Sequence, residues 1–243
     1  MFKQSNRATV FCLLGSALLS AASFADDWIV FRMGEDDPGA VAEQFTSFTR
    51  DTTGSYQFTK INANPMRSSN VAPGQESELA LDFMGAFSGK VLRQPLIPSS
   101  SNAFTVDGWF FVRHTGTRWL FQFGQYGFNG FGAYTTAGNF WGIYQGAGRR
   151  PVAWDTGIPV VGNQWVRVTL SYENQSFNLY INGVKGTTQP ATDLIHPADL
   201  VTIGARSVFR SSALEREDFE AHMDGLIDEW RIHPTAAIRP NSF

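Results

Sequence analysis

Apolar positions along this chain recur with a period of two, in short runs separated by turn formers, and nowhere does a 3.6 period predict an amphipathic helix of more than about two turns. Trp28 to Met33 reads as an opening strand that stops at Gly34-Glu35-Asp36-Asp37-Pro38-Gly39. Asp51-Thr52-Thr53-Gly54 is a second turn, and Val71 to Glu78 a Pro- and Gly-containing loop. In the next segment Leu79, Leu81 and Phe83 alternate with Ala80 and Asp82.

A central block follows. Phe104, Val106, Gly108, Phe110 and Val112 share one face of a strand, and Thr105, Asp107, Trp109, Phe111 and Arg113 share the other. Both faces carry aromatics, so burial on both sides is expected. Trp119 to Phe123, Phe131 to Thr135 and Phe140 to Gln145 continue as a meander punctuated by glycines. Val166, Val168 and Leu170, then Phe177, Leu179 and Ile181, form an alternating pair of strands. Asn182-Gly183 next predicts a tight hairpin, because both residues tolerate positive φ. Val201-Thr202-Ile203-Gly204 is a further strand, Ser207 to Ala221 reads as a polar, charged loop, and Asp224 to Ile232 reads as the last strand. The class is all-β.

Five segments in this order carry a resemblance: Ala103-Phe104-Thr105-Val106-Asp107-Gly108-Trp109-Phe110, Gln164 to Tyr172, Leu179-Tyr180-Ile181-Asn182-Gly183, Val201 to Gly204, and Asp224-Gly225-Leu226-Ile227-Asp228-Glu229-Trp230-Arg231-Ile232. Together they resemble the laminin G-like domain of the concanavalin A-like lectin/glucanase superfamily. The resemblance implies a jelly-roll β-sandwich of two antiparallel sheets, one concave and one convex, with glycans bound on the concave face or its rim loops. It also implies a structural calcium ion held by a carboxylate of the last strand and by early segments, which match Asp228, Glu35 and Gly85 here. Calcium takes about six to eight oxygen ligands, so carbonyls and water would have to complete such a set.

The N-terminus bears on compartment. Lys3 and Arg7 precede an uncharged run from Ala8 to Ala22, and Ser23-Phe24-Ala25 supplies small residues at a cleavage position, so residues 1 to 25 read as a signal peptide and residues 26 to 243 as one laminin G-like jelly-roll domain. Export, secreted or periplasmic, is the expectation, with no membrane span after leader removal. Cys12, the one cysteine, falls in that leader, which leaves no internal disulfide for the remainder. The net charge of −3, without clustered basic residues, argues against a nucleic-acid partner.

Fold does not set function, so the site must be argued from residues. Trp141, Tyr144 and Trp154 bracket Gly146-Ala147-Gly148-Arg149-Arg150-Pro151. Aromatic rings beside the Arg149 and Arg150 guanidinium groups would offer a glycan both a stacking surface and a hydrogen-bonding fork. No catalytic residues are identified. Hydrolysis needs two carboxylates about 5 to 5.5 Å apart for retention, or wider for inversion, and the nearest run, Glu215-Arg216-Glu217-Asp218-Phe219-Glu220, reads as a solvated loop. His114, His196, His222 and His233 have no zinc spacing. A non-catalytic carbohydrate-binding, lectin-like or adhesion module is therefore the expectation. A polysaccharide hydrolase or lyase is the alternative. A structural module that binds an extracellular protein of the envelope is the second.

Overall fold

Wherever alternation was read, strands run in this computed structural model, which describes residues 28 to 85, 88 to 148, 150 to 197, 200 to 209 and 217 to 237. The expected leader, Arg149, Glu215 and Arg216 lie outside the described residues. In chain order the strands are β1 (Ile29–Phe31), β2 (Phe48–Arg50), β3 (Gln57–Asn62), β4 (Met66–Ser68), β5 (Ala80–Met84) and β6 (Ser88–Leu92). The central block is β7 (Phe104–Val112), β8 (Arg118–Phe123), β9 (Phe131–Thr136), β10 (Asn139–Gln145) and β11 (Pro151–Pro159). There follow β12 (Gln164–Glu173), β13 (Ser176–Ile181), β14 (Val184–Lys185), β15 (Gln189–Pro190), β16 (Val201–Ile203), β17 (Arg206–Phe209), β18 (Glu217–Glu220) and β19 (Asp224–His233).

They form two large antiparallel sheets. One runs β14-β13-β12-β7-β19-β5-β4, with β1 beside β19 and β15 beside β13; the other runs β11-β10-β9-β8-β16-β6-β3-β2. The architecture is the expected all-β jelly-roll sandwich. Apart from β11, the outermost strands of both sheets are two or three residues long.

The hairpin at Asn182-Gly183 forms as read: both residues have positive φ, 49° and 78°, and Ile181 pairs with Val184. The Asn182 side chain also accepts a hydrogen bond from the Arg167 amide at 2.8 Å, tying the turn to β12.

The core lies between the sheets. Trp230 is fully buried, ringed by Phe31, Phe58, Phe121 and Phe123 at centroid distances of 5.5 to 6.3 Å. A second aromatic group joins Phe104, Phe131, Tyr172 and Phe177. Trp230 reaches this position through a β-bulge: Asp228 pairs with Trp109 and Arg231 with Asp107, leaving Glu229 and Trp230 opposite Gly108. Glu229 takes a φ of 47°, which resets the alternation so that Ile227, Trp230 and Ile232 all point inward.

The central strand β7 is buried on both sides at Thr105 and Asp107 only, because Trp109 and Phe111 are partly exposed. Asp107 is buried as a charge with partners: Arg167 donates Nε and Nη2 to it at 3.0 and 2.9 Å, and Thr169 its hydroxyl at 2.6 Å. One expectation is corrected. Ser207 to Ala221 was read as a loop, yet β17 and β18 pair as a small third sheet, Arg206 opposite Glu220, because alternate side chains lie against the body of the protein.

Candidate functional site

The face of the β8 to β11 sheet that looks away from the core carries a row of aromatic side chains. Trp119 on β8 pairs with Tyr134 on β9, Tyr134 with Trp141 on β10, and Trp141 with Asp155 on β11. Phe121, Ala133, Phe140 and Trp154 take the inward positions of the same strands. The Trp119 and Tyr134 rings stack with centroids 5.0 Å apart and planes 12° apart; Trp141 adjoins Tyr134 at 6.3 Å, and Tyr126 meets Trp119 edge-on at 6.2 Å. Trp119 is almost wholly covered, while Tyr126, Tyr134 and Trp141 are partly exposed.

Polar groups frame the row. The β17–β18 hairpin brings the Arg206 guanidinium to 4.3 Å from the Tyr126 centroid and 5.5 Å from that of Trp119, and Glu220 ion-pairs with the same guanidinium. At the other end Asp155 accepts hydrogen bonds from Asn139 Nδ2 at 2.9 Å and the Gly157 amide at 2.8 Å. Burial, with Tyr126 and Asp155 nearby, pushes the Tyr134 hydroxyl up to about 12, so it remains a protonated donor at neutral pH. Chemically this is a partly exposed row of stacked and tilted rings edged by donors and acceptors. That combination suits a ring with an apolar face and polar rim.

Of the residues expected to bind a ligand, the structure places Trp141 in this row and separates it from the rest. Tyr144 and Trp154 both lie in the core, 5 % exposed and packed on Phe177 at 5.8 Å. Parity explains it. Tyr144 lies an odd number of positions from Trp141 on one strand and so faces the opposite way, and Trp154 pairs with Gly142, which has no side chain to displace its indole. Arg150 is exposed on the turn, without a ring beside it from Tyr144 or Trp154. That turn is clamped by Asp193, which accepts the Tyr144 hydroxyl at 3.1 Å and the Ala147 amide at 2.9 Å. Tyr126, Tyr134, Arg206 and Trp119 were not singled out as ligand residues in the sequence. For Tyr134 the signal was its alternation with the inward Ala133; Trp119 has the same parity as Phe121 and faces outward only because a bulge lies between them, and Tyr126 and Arg206 belong to neither strand.

The three residues matched to calcium do not converge. Asp228 is fully buried, and its Oδ2 accepts the Ala72 amide at 2.9 Å and the Ser77 hydroxyl at 2.7 Å. Glu35 accepts the amides of Glu78 and Leu79. Both carboxylates thus clasp the loop between β4 and β5. Gly85 sits at the far end of β5, beside Asp224. Among the described residues no three His, Cys, Asp or Glu side chains group as a metal site. Asp228 Oδ1 is the exception worth noting, being buried without a hydrogen bond of good geometry. Burial raises the Asp228 carboxyl to about 6, against hydrogen bonds from Ala72, Ser77 and the Glu229 backbone that lower it.

The family model described as the concanavalin A-like lectin/glucanases superfamily matches residues 87 to 238. No curated protein sequence matches the chain. Among solved structures, domain 4 of AbnA, an extracellular arabinanase of Geobacillus stearothermophilus in complex with arabinotriose, is similar with a TM-score of 0.60 and 20% identity, over 78% of this chain and 88% of that one. The binding domain of Paraclostridial Mosquitocidal Protein 1 is similar with a TM-score of 0.59 and 13% identity, over 88% of this chain and 50% of that one. The receptor binding domain of the botulinum neurotoxin C/D mosaic serotype gives 0.58 and 12%, over 88% and 49%. The chain therefore spans about half the length of the two toxin domains. At these identities the likeness is one of fold.

Proposed function

Because the chain belongs to the concanavalin A-like lectin/glucanases superfamily, we propose that it is a non-catalytic carbohydrate-binding module whose glycan lies across Tyr134 and Trp141, with the covered Trp119 ring supporting Tyr134. The observation that carries this reading is the in-register aromatic row on a solvent-facing sheet surface, framed by Arg206 and Asp155. Sugar rings would stack by their C–H faces while hydroxyls meet the Tyr134 hydroxyl and the flanking polar groups. The arabinotriose complex of the similar arabinanase domain supports the class of ligand. A neutral-polysaccharide panel in affinity electrophoresis tests it: retardation lost on Trp141→Ala supports the reading, and no retardation by any polysaccharide refutes it.

Non-catalysis rests on the state of the nearby carboxylates. Glu220 is engaged by Arg206 and Asp155 by Asn139 and Gly157, so neither is set up as a free acid or base. Reducing-sugar and unsaturated-product assays on the same panel would detect a hydrolase or lyase.

A structural calcium belongs to this proposal with one anchor, Asp228 Oδ1, since Glu35 and Gly85 do not join it. Its readout is a calcium-dependent rise in melting temperature. Export is likewise proposed, from the leader-like residues 1 to 25, and N-terminal sequencing of the mature protein from a fractionated culture checks it.

A further inference from the structure

We propose that a cavity at the rim of the sandwich is a second saccharide site, one that takes the terminal residue of a neutral glycan end-on. The inference rests on the binding reading above but uses none of its residues. The cavity has a volume of about 500 Å³, and its lining includes the amide residues Asn102, Asn174 and Gln175 and the hydroxyl residues Ser101 and Thr192. Two rings join the lining, Tyr172 and His196, which meet edge to face at 6.2 Å and 85°.

Charge defines the ligand class. Among the described residues no Asp, Glu, Lys or Arg lines the cavity, and burial lowers the pKa of His196, which favours the neutral imidazole. An anionic sugar, a phosphate or a cationic amine would find no counter-charge among these lining residues. A neutral polyhydroxylated ring finds paired donors and acceptors, since each amide offers both. The adjacent carboxylate, Asp193, is already held by Tyr144 and Ala147.

Two details indicate a built site. His196 Nδ1 is buried without a hydrogen-bond partner, at the cavity wall. Asn174 and Gln175 form the tight turn between β12 and β13 with φ of 49° and 57°. The same left-handed pair at Asn182-Gly183 uses glycine in the second position, where it is unstrained. At the cavity the chain instead keeps a glutamine in the left-handed region, at a position that lines the cavity.

Gln175→Gly is therefore an informative variant, because glycine suits that φ and removes only the side chain. The experiment titrates arabinotriose, maltotriose and cellotriose into isotopically labelled protein. It follows by NMR the His196 imidazole, the Gln175 side-chain amide and the Trp119 and Trp141 indoles. The expected result is saturable shifts at His196 and Gln175 with one of the sugars, weakened about five- to tenfold in Gln175→Gly. Melting temperature should be unchanged or higher in that variant, and Trp141→Ala should leave the His196 response intact. Shifts confined to the indoles would overturn the rim site while leaving the aromatic face standing. Shifts confined to the rim would do the reverse. Silence at both, or equal affinity in Gln175→Gly, would overturn the rim proposal.

Discussion

Gly108 and Trp230 share one space across β7 and β19: a Cβ built on Gly108 would stand 2.8 Å from Cδ1 of the fully buried Trp230 indole. The bulge at Glu229 drives the indole into that gap, and four phenylalanine rings prevent it from moving aside. Gly108→Ala is therefore expected to destabilise the fold by about 1 to 3 kcal/mol through overpacking. Trp230→Ala, which leaves a cavity, should cost about 3 to 5 kcal/mol. Urea unfolding followed by tryptophan fluorescence for the glycine variant, and by circular dichroism for both, measures these differences.

Trp141 and Trp154 lie on adjacent strands but face opposite ways, which separates binding from stability. Trp141→Ala should abolish retardation on polysaccharide with little change in melting temperature. Trp154→Ala should lower stability by about 3 to 5 kcal/mol and leave binding by the remaining folded protein intact. Affinity electrophoresis beside thermal unfolding distinguishes the two outcomes.

The Asp228 carboxyl is raised to about 6 by burial, from its ordinary value of 3.8. Between those two values the folded protein holds a proton that the unfolded chain has released, so the contribution of Asp228 to stability falls as pH rises through that window and is flat above it. Asp228→Asn keeps an acceptor for Ala72 and Ser77 and removes the ionisation. Relative to the variant, the natural protein should lose about 2 to 3 kcal/mol between pH 4 and pH 7, measured by urea unfolding without calcium. With calcium present, recovery of that loss in the natural protein alone would support the proposed anchor.

Lys90 is the mirror case. It is fully buried, donates to the Thr46 carbonyl at 2.9 Å, and burial lowers its ammonium to about 7 from its ordinary value of 10.5, with Asp37 opposing and Arg67 reinforcing the shift. Between these values the unfolded chain binds the extra proton, so stability from this group should increase with pH from about 7 to 10. Lys90→Met should flatten that rise in a pH series of thermal melts.

What could be read in advance was whatever depends on local pattern. The alternation of Phe104 to Val112 and the Asn182-Gly183 turn carry their geometry in adjacent residues, and both formed as read. Strands β3, β6 and β11 did not announce themselves, because Lys60, Gly89-Lys90 and the Pro151, Asp155 and Gly157 positions interrupt the apolar rhythm. Their order comes from hydrogen bonds to neighbouring strands. The site was harder still. Trp141, Tyr144 and Trp154 are close in sequence, but which of them faces solvent depends on strand parity and on the register with Gly142. Arg206 reaches Trp119 only because the β17–β18 hairpin folds over β8, a long-range event with no local signature.

The sheet margins carry a consequence for crowding. Apart from β11 the outermost strands are two or three residues long, and β11 begins and ends in proline and bends at Gly157 with a φ of 73°. Such margins give a neighbouring copy little main chain to extend. Many copies could therefore line up side by side along one polymer without zipping together, each holding on through its faces and loops.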